Sequence, residues 1–475
     1  MCWEVQAGVS RCDITPPVGI AHANWGAQSH ERAVDVELPL TATALALGDE
    51  NPAVLIDVDL LYLVPEDAAR IRSRAAALAG VPETHVRLAY SHTHSGPTVR
   101  RDTWADQGAD MIEPYIEQLA NDIAGIAWHA VRNRVPAILD AGSATCDIGI
   151  NRRFHRPEDG SVIVGRNPDG PVDHEALVLR IDELECAPAG DEETHPLATV
   201  VTYACHPITV GPDNQRITPD YPGVTRRTVE NATGSTCLFL QGAAGDVGPV
   251  RGVAQGGIDE FTQLGRRLGH AASQTWWQLD PTGREDRYVE TVASGAPLAL
   301  YEPTYPNREQ RSVTVHSTEV ELPVRDLPSA SEAKREFETR TEELESLRES
   351  AASAEEIAPA ITAARQAEIQ AGIAERFGDQ RHESFEIHLV SLGEDVVLIG
   401  VPGEPFVEIQ RRVKEESPFE CTFFSGYSNV GTGYIPTADA YEHGGYEVNV
   451  TPFSPDAAET VVDATTAALD EVYPE

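Results

Sequence analysis

Short apolar runs alternate with amphipathic stretches over roughly the first 280 residues, a rhythm that restricts the chain to α/β architectures. Thr41 to Leu47 and Ala53 to Leu63 read as strands, and Pro65 to Ala79 as a helix with proline at its first position. His85 to Tyr90 is another short strand, bounded by Pro82 and Gly96. An amphipathic helix is expected from about Asp110 to Arg132. Leu197 to Cys205 and Thr236 to Gln241, flanked by Gly and Pro, suit buried strands, with a helix over Asp220 to Asn231 between them. From about Ser331 to Arg376, Glu, Arg and Ala alternate at helical spacing with few large apolar residues, which predicts a charged, solvated helical hairpin. Ser384 to Gly400 returns to β-like sequence, and a helix over about Asp456 to Val472 closes the chain. The expectation is a mixed β-sheet core with surrounding helices and an inserted helical hairpin at about 331–376. No Pro/Gly/Ser-rich linker divides residues 1–475, so one domain is expected.

Charge narrows the partners. There are 76 acidic and 36 basic residues, a net charge of −40, and Lys334 and Lys414 are the only lysines. Self-repulsion of this size destabilises a compact state in dilute buffer and is a pattern of halophiles, so a high-salt cytoplasm is expected. Nucleic acid and anionic membranes, which require basic patches, are excluded as partners. No apolar run is long enough for a spanning helix, and Met1-Cys2-Trp3-Glu4-Val5 has neither the basic nor the apolar region of a leader. Seven scattered cysteines without a C-x-x-C fit reduced thiols.

Chemistry concentrates where the apolar runs stop. Ser91-His92-Thr93-His94-Ser95-Gly96-Pro97 follows a strand, and residues i and i+2 of an extended backbone point the same way. His92 and His94 can therefore aim two imidazoles, the commonest metal-ligating side chains, at one point. His206 ends the run into Tyr203-Ala204-Cys205-His206-Pro207. Gln241 to Pro249 is a glycine-rich turn after a strand, though neither G-x-G-x-x-G nor a P-loop. Glu404 lies in a Pro-Gly-Glu-Pro turn, and Tyr434 and Tyr446 each follow a glycine.

In this order the segments resemble the neutral/alkaline non-lysosomal ceramidase family over most of the chain. The matches run from Ala7-Gly8-Val9-Ser10-Arg11-Cys12-Asp13-Ile14-Thr15-Pro16-Pro17 through His-Thr-His-Ser-Gly-Pro and Ile150-Asn151-Arg152. They continue through Asn167-Pro168-Asp169-Gly170-Pro171-Val172-Asp173, Cys205-His206-Pro207, Pro219-Asp220-Tyr221-Pro222-Gly223 and Gly242-Ala243-Ala244-Gly245-Asp246 to Gly403-Glu404, Gly433-Tyr434 and Gly445-Tyr446-Glu447. The resemblance implies one zinc per chain held by His92, His206, Glu404 and Tyr434, with His94, Arg152 and Tyr446 lining the substrate site. It implies cleavage of an N-acyl amide in a small or lipid-like substrate by metal-activated water. His94 would move the proton, Arg152 would bind a polar or anionic group, and Tyr446 or the Gly245, Asp246 and Gly248 turn would steady the oxyanion.

Two departures qualify the substrate. Family members carry serine after Gly-Asp-Val, where this chain has Gly248, and longer relatives add a C-terminal immunoglobulin-like domain that is not expected here. Ester or phosphoester cleavage by the same chemistry, or a degenerate ligand-binding member, are the alternatives. TIM-barrel metal hydrolases that use a carboxylated lysine fit less well, because neither lysine lies in a plausible strand. Metallo-β-lactamase-like enzymes need His-x-His-x-Asp, and Gly96 stands at the last position. The acyl group and the oligomeric state are left open.

Overall fold

The computed structural model describes residues 3–25, 28, 30–101, 103, 105–186, 192–305, 309–310, 312–350 and 352–474. Met1 and Cys2, at the N-terminus discussed above, lie outside them, as does Ala351 within the expected helical hairpin.

The apolar runs build a nine-stranded mixed sheet. Its main path runs Thr236–Gln241, Glu192–Tyr203, Glu175–Cys186, Val135–Thr145, Trp3–Asp13, Thr41–Leu47, Ala53–Val58 and Val86–Tyr90. The pair at each end of this path is parallel and the interior pairs are antiparallel. A second sheet orders Val313–Pro323, His382–Leu392, Val396–Gly400 and Cys421–Ser425.

The strands read as continuous apolar runs because both faces are covered. In Thr41–Leu47, Ala42, Ala44 and Ala46 face the helices Pro65–Ala79 and Ile112–Arg132, while Leu45 and Leu47 join the core shared with the second sheet. Val54, Ile56 and Val58 divide from Ala53 and Leu55 in the same way, as a period of two requires. Helices Asp220–Thr233 and Gly257–Gln278 cover the other part of the helical face. Val407–Glu416 and Ala457–Val472 pack on the outer face of the second sheet. The layers therefore run helix, large sheet, small sheet, helix.

Ala53–Val58 stops five residues short of the expected strand end. The buried Asp59 carboxylate accepts the Thr41 N–H (2.8 Å) just where the ladder would continue. Asp57 and Asp59 both meet Arg226 in the interior, Asp57 at 2.8 Å. The charged segment forms two helices, Ala330–Glu349 and Ala354–Phe377, each opened by a Ser/Glu capping box at Ser329 and Ser353. Lys334 and Lys414 both lie in helices. A two-stranded ribbon, Glu285–Ala293 with Pro297–Thr304, has no counterpart in the sequence expectations. Cys12, Cys146, Cys205, Cys237 and Cys421 are free; Cys2 and the side chain of Cys186 lie outside the described residues. Among the described residues no helix is long and apolar enough to cross a membrane.

One side chain is out of place between the sheets. Arg87 is fully buried, its Nη1 donates to the Leu398 carbonyl (3.1 Å), and its Nε and Nη2 have no partner among the described residues. Burial lowers its pKa to about 9, which still leaves the guanidinium charged at neutral pH. A buried cation without a counter-ion costs more than it returns; replacing even a buried ion pair with hydrophobic residues of similar volume is often neutral or stabilising by about 1–4 kcal/mol. Arg87→Met should therefore raise the melting temperature in a thermal scan; a fall would show that the unpartnered nitrogens matter to the fold.

Candidate metal centre

The strand Val86–Tyr90 ends in a fixed position. Its Tyr90 hydroxyl donates to the Asn429 carbonyl (2.7 Å), and the Leu88 N–H donates to Asn429 Oδ1 (3.1 Å). The chain then turns sharply, with His92 in the left-handed region at φ +63°. Such a conformation is costly for a side chain with a Cβ and recurs where geometry is imposed by function. The two histidines thus converge through a turn, not through the extended i, i+2 spacing expected from sequence. Their rings meet edge-to-face at 5.2 Å.

His206 comes from the end of Glu192–Tyr203, its N–H bonded to the Val247 carbonyl (3.0 Å). Glu404 comes from the second sheet, beyond Val396–Gly400. Gly403 turns the chain there at φ +78°, where a Cβ would lie 2.6 Å from Thr432 Oγ1 and 2.8 Å from the Gly433 carbonyl. That close approach lets Glu404–Pro405 pair in parallel with Tyr434–Ile435 and sets Tyr434 beside Glu404.

The three imidazoles share one tautomer. Each Nδ1 lies against a backbone carbonyl that can only accept: Leu61 for His92 (2.8 Å), Asn24 for His94 (3.1 Å) and Ala244 for His206 (3.1 Å). Each Nε2 is therefore a bare lone pair. His94 Nε2 and His206 Nε2 face each other at 3.1 Å, and Glu404 Oε2 lies 3.4 Å from His92 Nε2 and 3.8 Å from His206 Nε2. His92 Nε2 and Glu404 Oε2 are buried with no hydrogen-bond partner. Burial, reinforced by His92 for His94 and by Arg152 for His206, holds both imidazoles well below the ordinary histidine range, so no proton sits between these two Nε2 atoms at neutral pH. The facing lone pairs of His94 and His206 repel one another unless a positive charge sits between them. The separations are those of ligands sharing one ion with bonds of about 2 Å, and the nitrogen and oxygen donors suit zinc and its neighbours. The residues fit a metal ion; His92, His94 and His206 form the group of candidate ligands.

Compared with solved structures, the chain superposes over its whole length. With neutral ceramidase from Pseudomonas aeruginosa the TM-score is 0.66 at 18% identity, covering 100% of this chain and 76% of that one. With a ceramidase complexed with C2 the values are 0.65 and 17%, covering 99% and 76%. The chain has the neutral ceramidase fold. No protein-family model and no curated protein matches it.

Within the ceramidase fold, the other expected residues take distinct places. Arg152 is buried; its Nε donates to Glu447 Oε1 (2.9 Å) and its Nη2 to the Tyr434 hydroxyl (3.1 Å). Glu447 also accepts from Arg153 Nη1 (2.9 Å). Much of Arg152 is thus committed to Glu447 and Tyr434, which limits the expected reach toward an anionic substrate group. Burial and then Glu404 push the Tyr434 phenol well up, while Arg152 opposes them. Tyr446 packs its ring 5.9 Å from Tyr434, keeps 36% exposure, and its hydroxyl has no hydrogen bond among the described residues. Burial and Glu404 raise its pKa, so it keeps its proton to donate.

The glycine-rich turn differs from expectation. The Gly245 N–H donates to the Pro405 carbonyl (2.9 Å), and the Asp246 carboxylate accepts from Val407 N (2.8 Å) and Asn151 Nδ2 (2.9 Å). Gly248 lies in a short strand paired with Ile150. The Gly245 N–H is therefore spent on the Glu404 loop and is not a free oxyanion donor, while the Asp246 carboxylate accepts bonds that tie that loop to the Arg152 strand. His94 has its Nδ1 on the Asn24 carbonyl and its Nε2 3.1 Å from His206 Nε2: as an ion ligand it could not shuttle a proton, whereas with Tyr434 as the fourth donor its Nε2 lone pair would stay open to one.

Two residues escaped the sequence reading. Glu447 was visible as the neighbour of Tyr446 but carried no sign of pairing with two arginines. Tyr427, whose ring stacks 4.2 Å from His92 and whose hydroxyl lies 3.3 Å from His206 Nδ1, sits in Gly426-Tyr427-Ser428, which has no distinguishing pattern.

Proposed function

We propose that this chain is a metal-dependent hydrolase, with zinc as the ion and an N-acyl amide as the bond cleaved. The observation that carries the reading is the convergence of the Nε2 atoms of His92, His94 and His206 with the Glu404 carboxylate, each Nδ1 being held by a backbone carbonyl. The ceramidase fold and the motif resemblance support an amide substrate with a lipid-like or small acyl group. The acidic composition supports a high-salt cytoplasm as the working compartment.

His92 and His206 belong both to the donor set that the resemblance implies and to the His92, His94 and His206 group; Glu404 would join them by resemblance and by its 3.4 Å approach to His92. By distance the fourth donor is His94; by resemblance it is Tyr434. When bound, the ion supplies Lewis acidity and an activated water. The protein's own part is to place the reacting carbonyl and to meet the charge that develops on it. Tyr446 donates its free hydroxyl proton to the developing oxyanion. Arg152, anchored by Glu447, holds the Tyr434 hydroxyl in place, and the buried surround strengthens each of these interactions. Esterase activity uses the same parts and remains the second substrate class to assay.

The test is metal content by mass spectrometry with turnover of fluorogenic N-acyl amides and esters before and after chelation. About one zinc per chain with chelator-sensitive amide cleavage supports the proposal; protein free of metal after loading overturns it. His94→Ala and Tyr434→Phe separate the two fourth-donor readings by which one loses metal.

Gly248→Ser probes the departure from the family pattern. A Cβ there would meet Val253 Cγ2 at 3.3 Å and Arg152 Cβ and Cδ at 3.7 Å, contacts a small side chain can take. Gly248→Ser should fold with a cost below about 1 kcal/mol and place a hydroxyl beside Arg152, raising kcat on ceramide-like amides if substrate choice turns on that group. Unchanged kcat would show that this hydroxyl is dispensable.

A further inference from the structure

The ribbon Glu285–Ala293 with Pro297–Thr304 is exposed along nearly all of both strands. A lone two-stranded ribbon is marginal in water, because it has no third strand and no core beneath it. This one also carries large apolar side chains on the surface: Tyr288 at 53%, Leu298 at 49%, Leu300 at 43% and Tyr301 at 59% exposure. The register assigns them to two faces. Tyr288 opposes Tyr301, their rings edge-to-face at 6.1 Å, whereas Leu300 opposes Glu290 and Leu298 opposes Val292 on the other side. Its tip, Thr291 to Tyr301, contains no charged residue, in a chain of net charge −40.

We propose that this ribbon is a dimerisation arm that packs against a second copy of this chain. Three observations select that occupant. The edges are blunted against open-ended strand addition, by Pro297 and Pro303 on one strand and a register shift between Tyr288 and Glu290 on the other, which leaves the faces to make contact. Two bodies of charge −40 repel at close range. A nine-residue strand reaches about 30 Å, beyond a screening length of about 3 Å in molar salt, so the uncharged tip of the arm can make contact while much of the two surfaces stays apart. The area also points to exchange. Each face offers roughly 300 Å², and a stable interface needs about 800 Å² from each partner. One arm on one face falls short, while reciprocal exchange, with each arm covered by the other copy, approaches that size.

Sedimentation velocity on the full chain in concentrated KCl, across a micromolar concentration series, tests this. The expected result is a species of twice 51.4 kDa for the unaltered chain, and 51.4 kDa for L300E/Y301E with its melting transition and metal content unchanged. Tyr288→Lys, on the opposite strand, should have the same effect. A monomer at all concentrations overturns the proposal, as does a dimer that survives these substitutions. A monomer that floats with neutral lipid vesicles would also overturn it, making the ribbon a membrane-docking device.

Discussion

Replacing Glu404 by glutamine is expected to strip the metal from the centre and lower hydrolysis by about a thousandfold, roughly 4 kcal/mol of transition-state stabilisation. The substitution keeps the shape of the side chain and removes only its charge. Glu404 Oε2 lies between His92 and His206 with no hydrogen-bond partner, so no other role in the fold absorbs the change. Its backbone pairing with Tyr434 does not depend on the side chain. The variant should melt close to the apo form of the parent while failing to bind zinc in a competition assay. A variant with full metal and full turnover would remove Glu404 from the centre.

The second large effect concerns stability. Glu447 sits between Arg152 and Arg153, all three buried, in a 2:1 arrangement of cations to anion. Removing the shared carboxylate leaves two guanidinium groups without compensation, and breaking a buried pair in this way costs about 3–5 kcal/mol. Glu447→Gln should lower the melting temperature by several degrees. It should also lower kcat, since Arg152 would no longer be fixed against Tyr434. A variant that loses activity but keeps its melting point would show that Glu447 acts on the substrate side and not on the fold.

The sequence carried the strands well, for a physical reason. Thr41 to Leu47 and Thr236 to Gln241 are largely apolar on both alternating sets of positions because both faces are buried, and the structure gives those bounds. Pro65 and Gly80 bracket the first helix as helix-start and helix-stop chemistry requires. The donors were legible because they sit where apolar runs end. Their convergence was not: it depends on a left-handed His92 and on the Gly403 turn, which are set by tertiary packing and leave no periodic trace. The Gly245 to Gly248 turn misled because glycines at close backbone approach look alike whether the neighbour is a ligand or, as here, the Pro405 carbonyl. The ribbon at Glu285–Thr304 was missed because its alternation is short and exposed on both sides, so no buried face marked it.

The donors come from two layers. His92 and His206 leave strand ends of the large sheet, and Glu404 leaves the small one. The centre therefore exists only once the two sheets have docked, and an ion held there would act as a clasp across the seam. Occupancy and docking become one equilibrium: a ligand of the docked state stabilises it in proportion to the logarithm of its concentration. Chelation should then be felt as faster amide exchange at the seam between the sheets, far beyond the few side chains that touch the metal.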